Sequence, residues 1–322
     1  MRAVQVTQTG GPEVLDAVEL PDPTPGPGEL LVSVSAAGVN FLDVYRRSGL
    51  YPVPLPSIPG SEIAGTVRAV GSGVVDFSVG DRVACSDADG GYAELLAVRS
   101  ERAVPVPDGV TDEQAAAVLL QGLTAHYLVN DTYRLSAGKK CLLHAAAGGV
   151  GLLLVQLAKR TGAEVFATVG SAEKAPLPAA AGADHVIVTA DRDFVQAVEE
   201  IAGPHPLDVV YDGVGRATFT GGLDLLRRRG TMVSFGNASG PVEPLSPLVL
   251  SAKGSLYLTR PTLADYTADA AELRARAADV FELVATGALQ VRIGARFPLA
   301  EAADAHRLLE SRRTTGKLIL VP

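Results

Sequence analysis

The sequence predicts an α/β protein in which a doubly wound parallel sheet is joined to a second, β-rich domain. Three observations predict it. A short apolar run at 141–143 leads into a glycine-rich turn, Ala147-Gly148-Gly149-Val150-Gly151, and a helix-like stretch follows. Beyond the turn, short β-forming runs alternate with helical patterns, as parallel strands joined by helical crossovers do. Before it, glycine and proline punctuate short alternating runs, the pattern of a twisted sheet with tight turns.

In chain order, residues 1–6 read as a strand and not as a signal peptide. Residues 21–28, PDPTPGPG, read as a loop, because strand patterns resume at once. The runs at 30–35, 63–70 and 81–84 are strands of the first domain. From Thr111 the pattern turns helical, with Asp112, Glu113 and Gln114 in a first turn, and a second helix at 123–133 leads to the glycine turn. Further strands are expected at 163–170, 185–188, 207–211, 231–235 and 255–258. Arg227, Arg228 and Arg229, the densest basic cluster, follow an amphipathic run and are expected at a helix C-terminus. Helical patterns at 269–286 and 299–311 flank the apolar stretch 291–297, and 317–321 closes the chain as a strand. The C-terminal part is expected to return to the first domain, giving 1–121 with 262–322 as one domain and 122–261 as the other.

The glycine turn places backbone N–H groups and the positive end of a helix where a pyrophosphate can sit. Gly148 permits close approach to phosphates and Gly151 close helix–strand packing, while Ala146 stands where the usual fingerprint has its first glycine. A tight βα turn without a ligand satisfies the same pattern. The second strand bears on which reading holds. In NAD-selective units that strand ends in an acidic side chain about 20 residues beyond the glycines. Here the equivalent residues are Thr168, Val169 and Gly170, 17 to 19 positions past Gly151 (168−151 and 170−151), and none is acidic. Ser171 and Lys174 follow, a hydroxyl and an ammonium suited to a 2′-phosphate, so NADPH is the expected cofactor. The alternative makes Ser171 a helix cap and Lys174 a solvated charge. Pro176 and Pro178 should shorten or displace the helix there.

Composition narrows the function classes. The chain has 322 residues, 47% hydrophobic and 20% charged, enough for two packed domains and too apolar for disorder. A net charge of −8 with no basic run leaves general nucleic-acid binding without support. No apolar run approaches the ~20 residues of a membrane span. Two cysteines, Cys85 and Cys141, exclude a disulfide framework, and a reducing cytoplasm is the expected location.

Ordered motifs extend along the chain: AGVNFLD at 37–43, RSGLY at 47–51, PGSEIAG at 59–65, GDRV at 80–83, HAAAGGVG at 144–151, YDGVG at 211–215, VSFGN at 233–237 and GSLYLTRP at 254–261. In these the chain resembles the zinc-independent quinone oxidoreductases, the zeta-crystallin-like branch of the medium-chain dehydrogenase/reductase superfamily, over essentially its full length. The resemblance implies a GroES-like catalytic domain and a Rossmann domain with the active site in the cleft between them. It also implies NADPH as hydride donor, a quinone as acceptor, and a homodimer joined through the Rossmann sheets. Zinc-using relatives carry metal-binding Cys and His where this chain has Asn40 and Ser61. The five histidines have no zinc-ligand spacing, so no metal is expected.

By the same resemblance, Asn40 and Tyr45 line the nicotinamide pocket. There Asn40 would offer an amide donor, and Tyr45 a hydroxyl to the substrate oxygen or the ribose, aimed where negative charge develops. Tyr51 would form the pocket wall. Thr124 matches a position near the nicotinamide and its phosphates, Phe235, Gly236 and Asn237 a strand-end loop along the cofactor, and Arg312 a C-terminal arginine reaching the 2′-phosphate. Thr189 stands where relatives often carry a tyrosine near the adenine or 2′-phosphate, which would weaken stacking. The same scaffold serves enone and enal double-bond reductases, and a non-catalytic NADPH-binding protein is the reading from another class.

Overall fold

The structure, a computed structural model, describes residues 1–322. Two compact units emerge: residues 1–123 with 267–322, and residues 124–266.

The first unit opens with an antiparallel pair, β1 (Arg2–Gln5) and β2 (Asp16–Glu19). Its central strand is β3 (Glu29–Val39), followed by helix α1 (Phe41–Arg47) and β4 (Glu62–Val70). Then come β5 (Arg82–Cys85), β6 (Leu95–Arg99), β7 (Val104–Pro105) and the long helix α2 (Asp112–Tyr127). The second unit holds β8 (Lys140–Leu143), α3 (Gly149–Arg160), β9 (Glu164–Val169), α4 (Pro176–Ala180) and β10 (His185–Val188). It continues with α5 (Phe194–Ala202), β11 (Leu207–Asp212), α6 (Phe219–Leu225), β12 (Leu226–Ser234), α7 (Pro247–Ala252) and β13 (Tyr257–Thr259). The chain returns to the first unit with α8 (Ala270–Ala285), β14 (Ile293–Pro298), α9 (Ala302–Glu310) and β15 (Lys317–Val321).

The second unit is a six-stranded sheet in the order β10-β9-β8-β11-β12-β13, parallel at every pairing. Its inner strands are buried on both faces, as in a sheet covered by helices: all six residues of β11 are buried, Asp208 and Asp212 among them. Leu142, Phe166, Val210, Leu223 and Met232 form the core on one side of it.

The first unit's main sheet runs β14-β15-β3-β4-β5-β7, with β6 also on β3. β3 is long enough to pair with β6 over Glu29–Ser33 and with β15 over Ala37–Val39, while β4 occupies its other edge. The last strand of the chain therefore lies beside the end of β3, where α1 begins. Leu30, Val32, Ile63, Val67, Leu318 and Leu320 share one core.

Three local expectations differ from the structure. The two helices expected between Thr111 and 133 are one, α2, closed by a π-helical turn at Leu128–Thr132. Gly122 does not end the helix; Val280 of α8 packs over it. Arg227, Arg228 and Arg229 lie in β12 and not at a helix C-terminus, because α6 stops at Leu225. Residues 262–266 group with the second unit, where Tyr266 stacks on Tyr127 at 4.2 Å and 6° between planes. No helix is long and apolar enough to cross a membrane.

Candidate active site

In the second unit, β8 ends in a turn held by backbone bonds. Ala145 adopts a left-handed φ of 52°, Ala146 N–H donates to Thr168 O (2.9 Å), and Gly148 N–H donates to Ala145 O (2.9 Å). Helix α3 starts at Gly149 with Gly148 as its N-cap, and no side chain caps its first-turn N–H groups. A Cβ at Gly151 would fall on Ala145 O and lie 2.7 Å from Ala146 Cα, both backbone atoms that cannot move aside cheaply. Ala147, Gly148, Gly149, Val150 and Gly151 thus form a tight cradle at the positive end of a twelve-residue helix, which fits a pyrophosphate. His144 stiffens it from below: its Nδ1 lies 3.0 Å from Thr168 Oγ1, and Phe194 meets its ring edge-on at 4.9 Å. Burial lowers the His144 pKa, so the ring is neutral.

Asp212, which sequence reasoning passed over, ends β11. Its Oδ1 accepts from Val214 N–H (2.8 Å), Gly215 N–H (3.0 Å) and Thr218 Oγ1 (2.8 Å), fixing the next strand-end loop. The signal was present: an acidic residue ending an apolar strand just before Gly213 and Gly215.

Gly170, Ser171, Lys174 and Thr189 come together at the adjacent ends of β9 and β10. Thr189 donates through N–H (2.9 Å) and Oγ1 (3.2 Å) to Val169 O, and Lys174 N–H donates to Ser171 O (3.1 Å). No atom would crowd a Cβ at Gly170, so the space beside it is open. Partial burial lowers the Lys174 ammonium below its ordinary value. Pro176 opens α4, which lasts only five residues. Phe235, Gly236 and Asn237 follow β12; Phe235 N–H donates to Asp212 O (2.8 Å). Arg260 holds this loop, donating to Ser234 O (2.9 Å) and, with the Asn237 amide turned to suit, to Asn237 Oδ1 (3.3 Å). Thr124 is buried in α2.

In the first unit, Asn40, Tyr45 and Tyr51 lie on and just after α1. Tyr51 N–H donates to Tyr45 O (3.0 Å), and the two rings meet edge-on at 5.3 Å, with Phe41 tilted against Tyr45 at 6.1 Å. Arg312 sits in the same unit, in the turn between α9 and β15, with a φ of 58°.

Asn40 is buried and its carboxamide is fully engaged. Nδ2 donates to Gly38 O (3.2 Å) and Glu62 Oε2 (3.1 Å), and Oδ1 accepts from Lys317 Nζ (2.6 Å). Both amide protons are therefore turned into the protein, which differs from the donor role expected for this side chain.

Next to it lies a second polar cluster. The Asp43 carboxylate accepts from Asn40 N–H (2.9 Å), Ser61 N–H (3.1 Å), Ser61 Oγ (2.7 Å) and the Tyr92 hydroxyl (3.1 Å). Tyr92 O lies 3.0 Å from His306 Nε2, and Arg47 Nη1 lies 3.0 Å from His306 Nδ1. Arginine only donates, so Nδ1 accepts and the imidazole proton sits on Nε2, donating to Tyr92. Every bond points one way, from Arg47 to Asp43. Burial, with the Arg47 charge, pushes the His306 pKa down to about 3. Burial pushes the Asp43 carboxyl up, opposed by its four donors, and the Tyr92 hydroxyl up as well.

The donor set does not fit zinc. Asn40 and Ser61 offer no thiolate or imidazole, and no group of three or more His, Cys, Asp or Glu is placed to hold a metal. Cys85 and Cys141 are separate, buried thiols.

Comparison with known proteins shows the family. Residues 26–108 match the alcohol dehydrogenase GroES-like domain, and residues 181–320 the family described as zinc-binding dehydrogenase. The chain is 48% identical to a quinone oxidoreductase of Pseudomonas aeruginosa over 323 aligned positions, covering 100% of this chain and 99% of that one. The solved quinone oxidoreductase of Escherichia coli, complexed with NADPH, superposes with a TM-score of 0.98 at 44% identity, covering 100% of both chains. A mycobacterial protein, also complexed with NADPH, superposes with a TM-score of 0.96 at 48% identity, again over 100% of both. The chain belongs to the quinone oxidoreductase family of the medium-chain dehydrogenase/reductase superfamily.

Proposed function

We propose that this protein is an NADPH:quinone oxidoreductase working without a metal. The observation that carries the reading is full-length similarity to quinone oxidoreductases combined with a cofactor cradle of matching chemistry. The α3 N-terminus takes the pyrophosphate, and the open end of β9, where Thr168, Val169 and Gly170 carry no carboxylate, takes the 2′-phosphate through Ser171 and Lys174; the family resemblance adds Arg312 as a further cation. NADPH, when bound, supplies the hydride. A quinone is already electrophilic, so the protein needs only to orient it and meet the charge that develops on its oxygen. With the Asn40 protons turned inward, that role falls to the Tyr45 hydroxyl. Tyr51 and Phe41 close around Tyr45 as the apolar wall. Thr124 and the Phe235–Asn237 loop, braced by Asp212 and Arg260, line the cofactor.

The test is NADPH oxidation with a simple 1,4-quinone, chelator present, and an enone in parallel. Quinone-dependent, chelator-resistant turnover is expected. Turnover with the enone alone would assign double-bond reduction instead, and NADPH binding without turnover on either would assign a non-catalytic role. Tyr45→Phe should lower kcat by about 10–100-fold, the scale of losing one donor to a developing oxyanion.

The reading includes a homodimer through the β13 edge. β13 ends the sheet with an open hydrogen-bonding side, and Tyr257 (61% exposed), Leu258 (40%) and, on α7, Leu248 (78%) are apolar side chains in solvent. Pairing β13 with its copy would cover such an edge. Size-exclusion with light scattering should give a dimer, and Leu258→Lys a monomer; a monomeric parent protein would end this part of the reading. Two unpaired thiols agree with a reducing cytoplasm.

A further inference from the structure

One buried cluster in the first unit is not used by the reaction as described. Lys317 and Glu62 form an ion pair at 2.5 Å with both side chains essentially inaccessible (1% and 0% exposed). Burying two charges is costly, and a pair of this kind is weak evidence for stability as such. Its arrangement is specific. Lys317 Nζ donates to both Glu62 Oε2 (2.5 Å) and Asn40 Oδ1 (2.6 Å). Glu62 Oε2 also accepts from Asn40 Nδ2 (3.1 Å), and its Oε1 accepts from Leu120 N–H in α2 (2.7 Å). A Cβ at Gly38 would fall on Glu62 Oε2, 2.5 Å from Ala116 O and 2.8 Å from Lys317 Cε, so the close approach requires glycine there. The end of β3, the starts of β4 and β15 and the middle of α2 all meet at this point.

A carboxamide is nearly symmetric in shape, and packing alone does not choose between its two orientations. Here a donor-only ammonium faces the oxygen and an acceptor-only carboxylate faces the nitrogen. A flip would set NH₂ against NH₃⁺ and C=O against COO⁻, two repulsive contacts in place of two bonds. We propose that Lys317 and Glu62 are positioning residues for the reaction: the buried pair fixes Asn40 with both N–H groups inward, so that Asn40 meets the nicotinamide or the quinone without an N–H to donate. The pair holds the residue that opens α1, the seven-residue helix that also carries Tyr45. The proposal rests on the NADPH–quinone reading above.

The test compares Glu62→Gln/Lys317→Met, which removes both charges together, with Asn40→Ala and with the triple variant. Thermal melts confirm folding, NADPH titration gives Kd, and quinone turnover gives kcat and KM. The charge-free double variant should bind NADPH within about threefold of the parent while its kcat falls tenfold or more. In the Asn40→Ala background the same two substitutions should change kcat by less than twofold, because the residue they position is gone. A folded double variant with parental kcat overturns the proposal, and so does a loss that multiplies undiminished in the Asn40→Ala background, since that would be a general packing effect. If the double variant does not fold, Glu62→Gln alone, which nearly keeps the shape, is read in the same two backgrounds with the same criteria. Failure of the parent protein to reduce any quinone would sink the functional reading instead. The enone then serves as acceptor, and the coupling to Asn40 is read on that reaction.

Discussion

The two units hold their candidate residues by opposite means. In the second unit the backbone forms the cradle: a left-handed Ala145, an uncapped helix start and a glycine at 151 that lets α3 close on the turn. Buried side chains there, such as His144 and Asp212, brace the loops. In the first unit the backbone is a mostly antiparallel sheet, and the candidate residues sit among polar side chains buried in its core. Asp43, Tyr92, His306 and Arg47 form one directed chain, and Asn40, Glu62 and Lys317 a second. A backbone cradle tolerates changes in side-chain chemistry but not added volume. A buried polar cluster tolerates changes in neither, because each lost partner leaves an unsatisfied group in a low-dielectric interior.

The largest effect should come from breaking the side-chain region at its acceptor. Asp43→Ala leaves four donors without their partner and should destabilise the protein by about 3–5 kcal/mol in denaturant unfolding. Breaking the backbone region should act on binding: Gly151→Val should weaken NADPH by roughly 100-fold in a fluorescence titration, with the turn pushed open. A cavity large enough to take the valine would leave affinity intact and remove the close-packing argument.

The pH dependence sharpens the contrast. The His306 pKa is about 3 in the folded protein, against an unfolded value near 6.5. Between these values the unfolded chain binds a proton that the native state refuses, so stability falls as pH drops from about 6.5 toward 3, by about 1.4 kcal/mol per pH unit from this group. Arg47, Tyr92, Asp43 and Glu310 are the charged and titratable groups around it, and only the Arg47 cation opposes protonation through charge. The melting-temperature gap between the parent protein and His306→Gln should narrow steadily below pH 6.5. A constant gap would mean that His306 carries no linked proton.

The smallest effect concerns cofactor choice. Lys174→Ala should raise the KM for NADPH by about 10-fold, the scale of one charge-assisted bond, and leave NADH nearly unchanged. Equal shifts for both would remove Lys174 from the 2′-phosphate site.

The same contrast explains what could be read from the sequence. The cradle is local: strand, turn and helix lie within 140–160, and the end of β9 is a short count further on. Parallel strands in a doubly covered sheet also announce themselves by continuous apolar runs, as residues 141–143 of β8 do. The polar clusters are not local. Lys317 meets Asn40 across 277 positions, and His306 meets Arg47 across 259. Nothing near His306 in sequence marks it as a bonded core residue, and Asn40 taken alone reads as a free donor. Two weak signals existed for the ion pair: Glu62 opens an otherwise small and apolar run, and Lys317 opens LILV. Each is a charge at the mouth of a buried strand, and only the pairing of β15 with β3 brings them together. The helix boundary errors were local and of another kind. The break expected at 123 falls inside α2, where Gly122 serves packing, and the amphipathic pattern before Arg227 does not register that β12 begins immediately.

The position of Lys317 has a consequence for the order of assembly. Chains emerge from the ribosome N-terminus first, and domains generally fold as units in that order. Here the whole of residues 124–266 is made before α8, α9 and β15 exist. The continuous unit can collapse on its own, while its predecessor waits with Glu62 and Tyr92 facing an unfinished interior. Only the arrival of His306 and then Lys317 supplies the missing partners. The unit that starts first finishes last, and a chain stopped just before Lys317 would keep the glycine-turn cradle while leaving the Glu62 carboxylate buried without its cation.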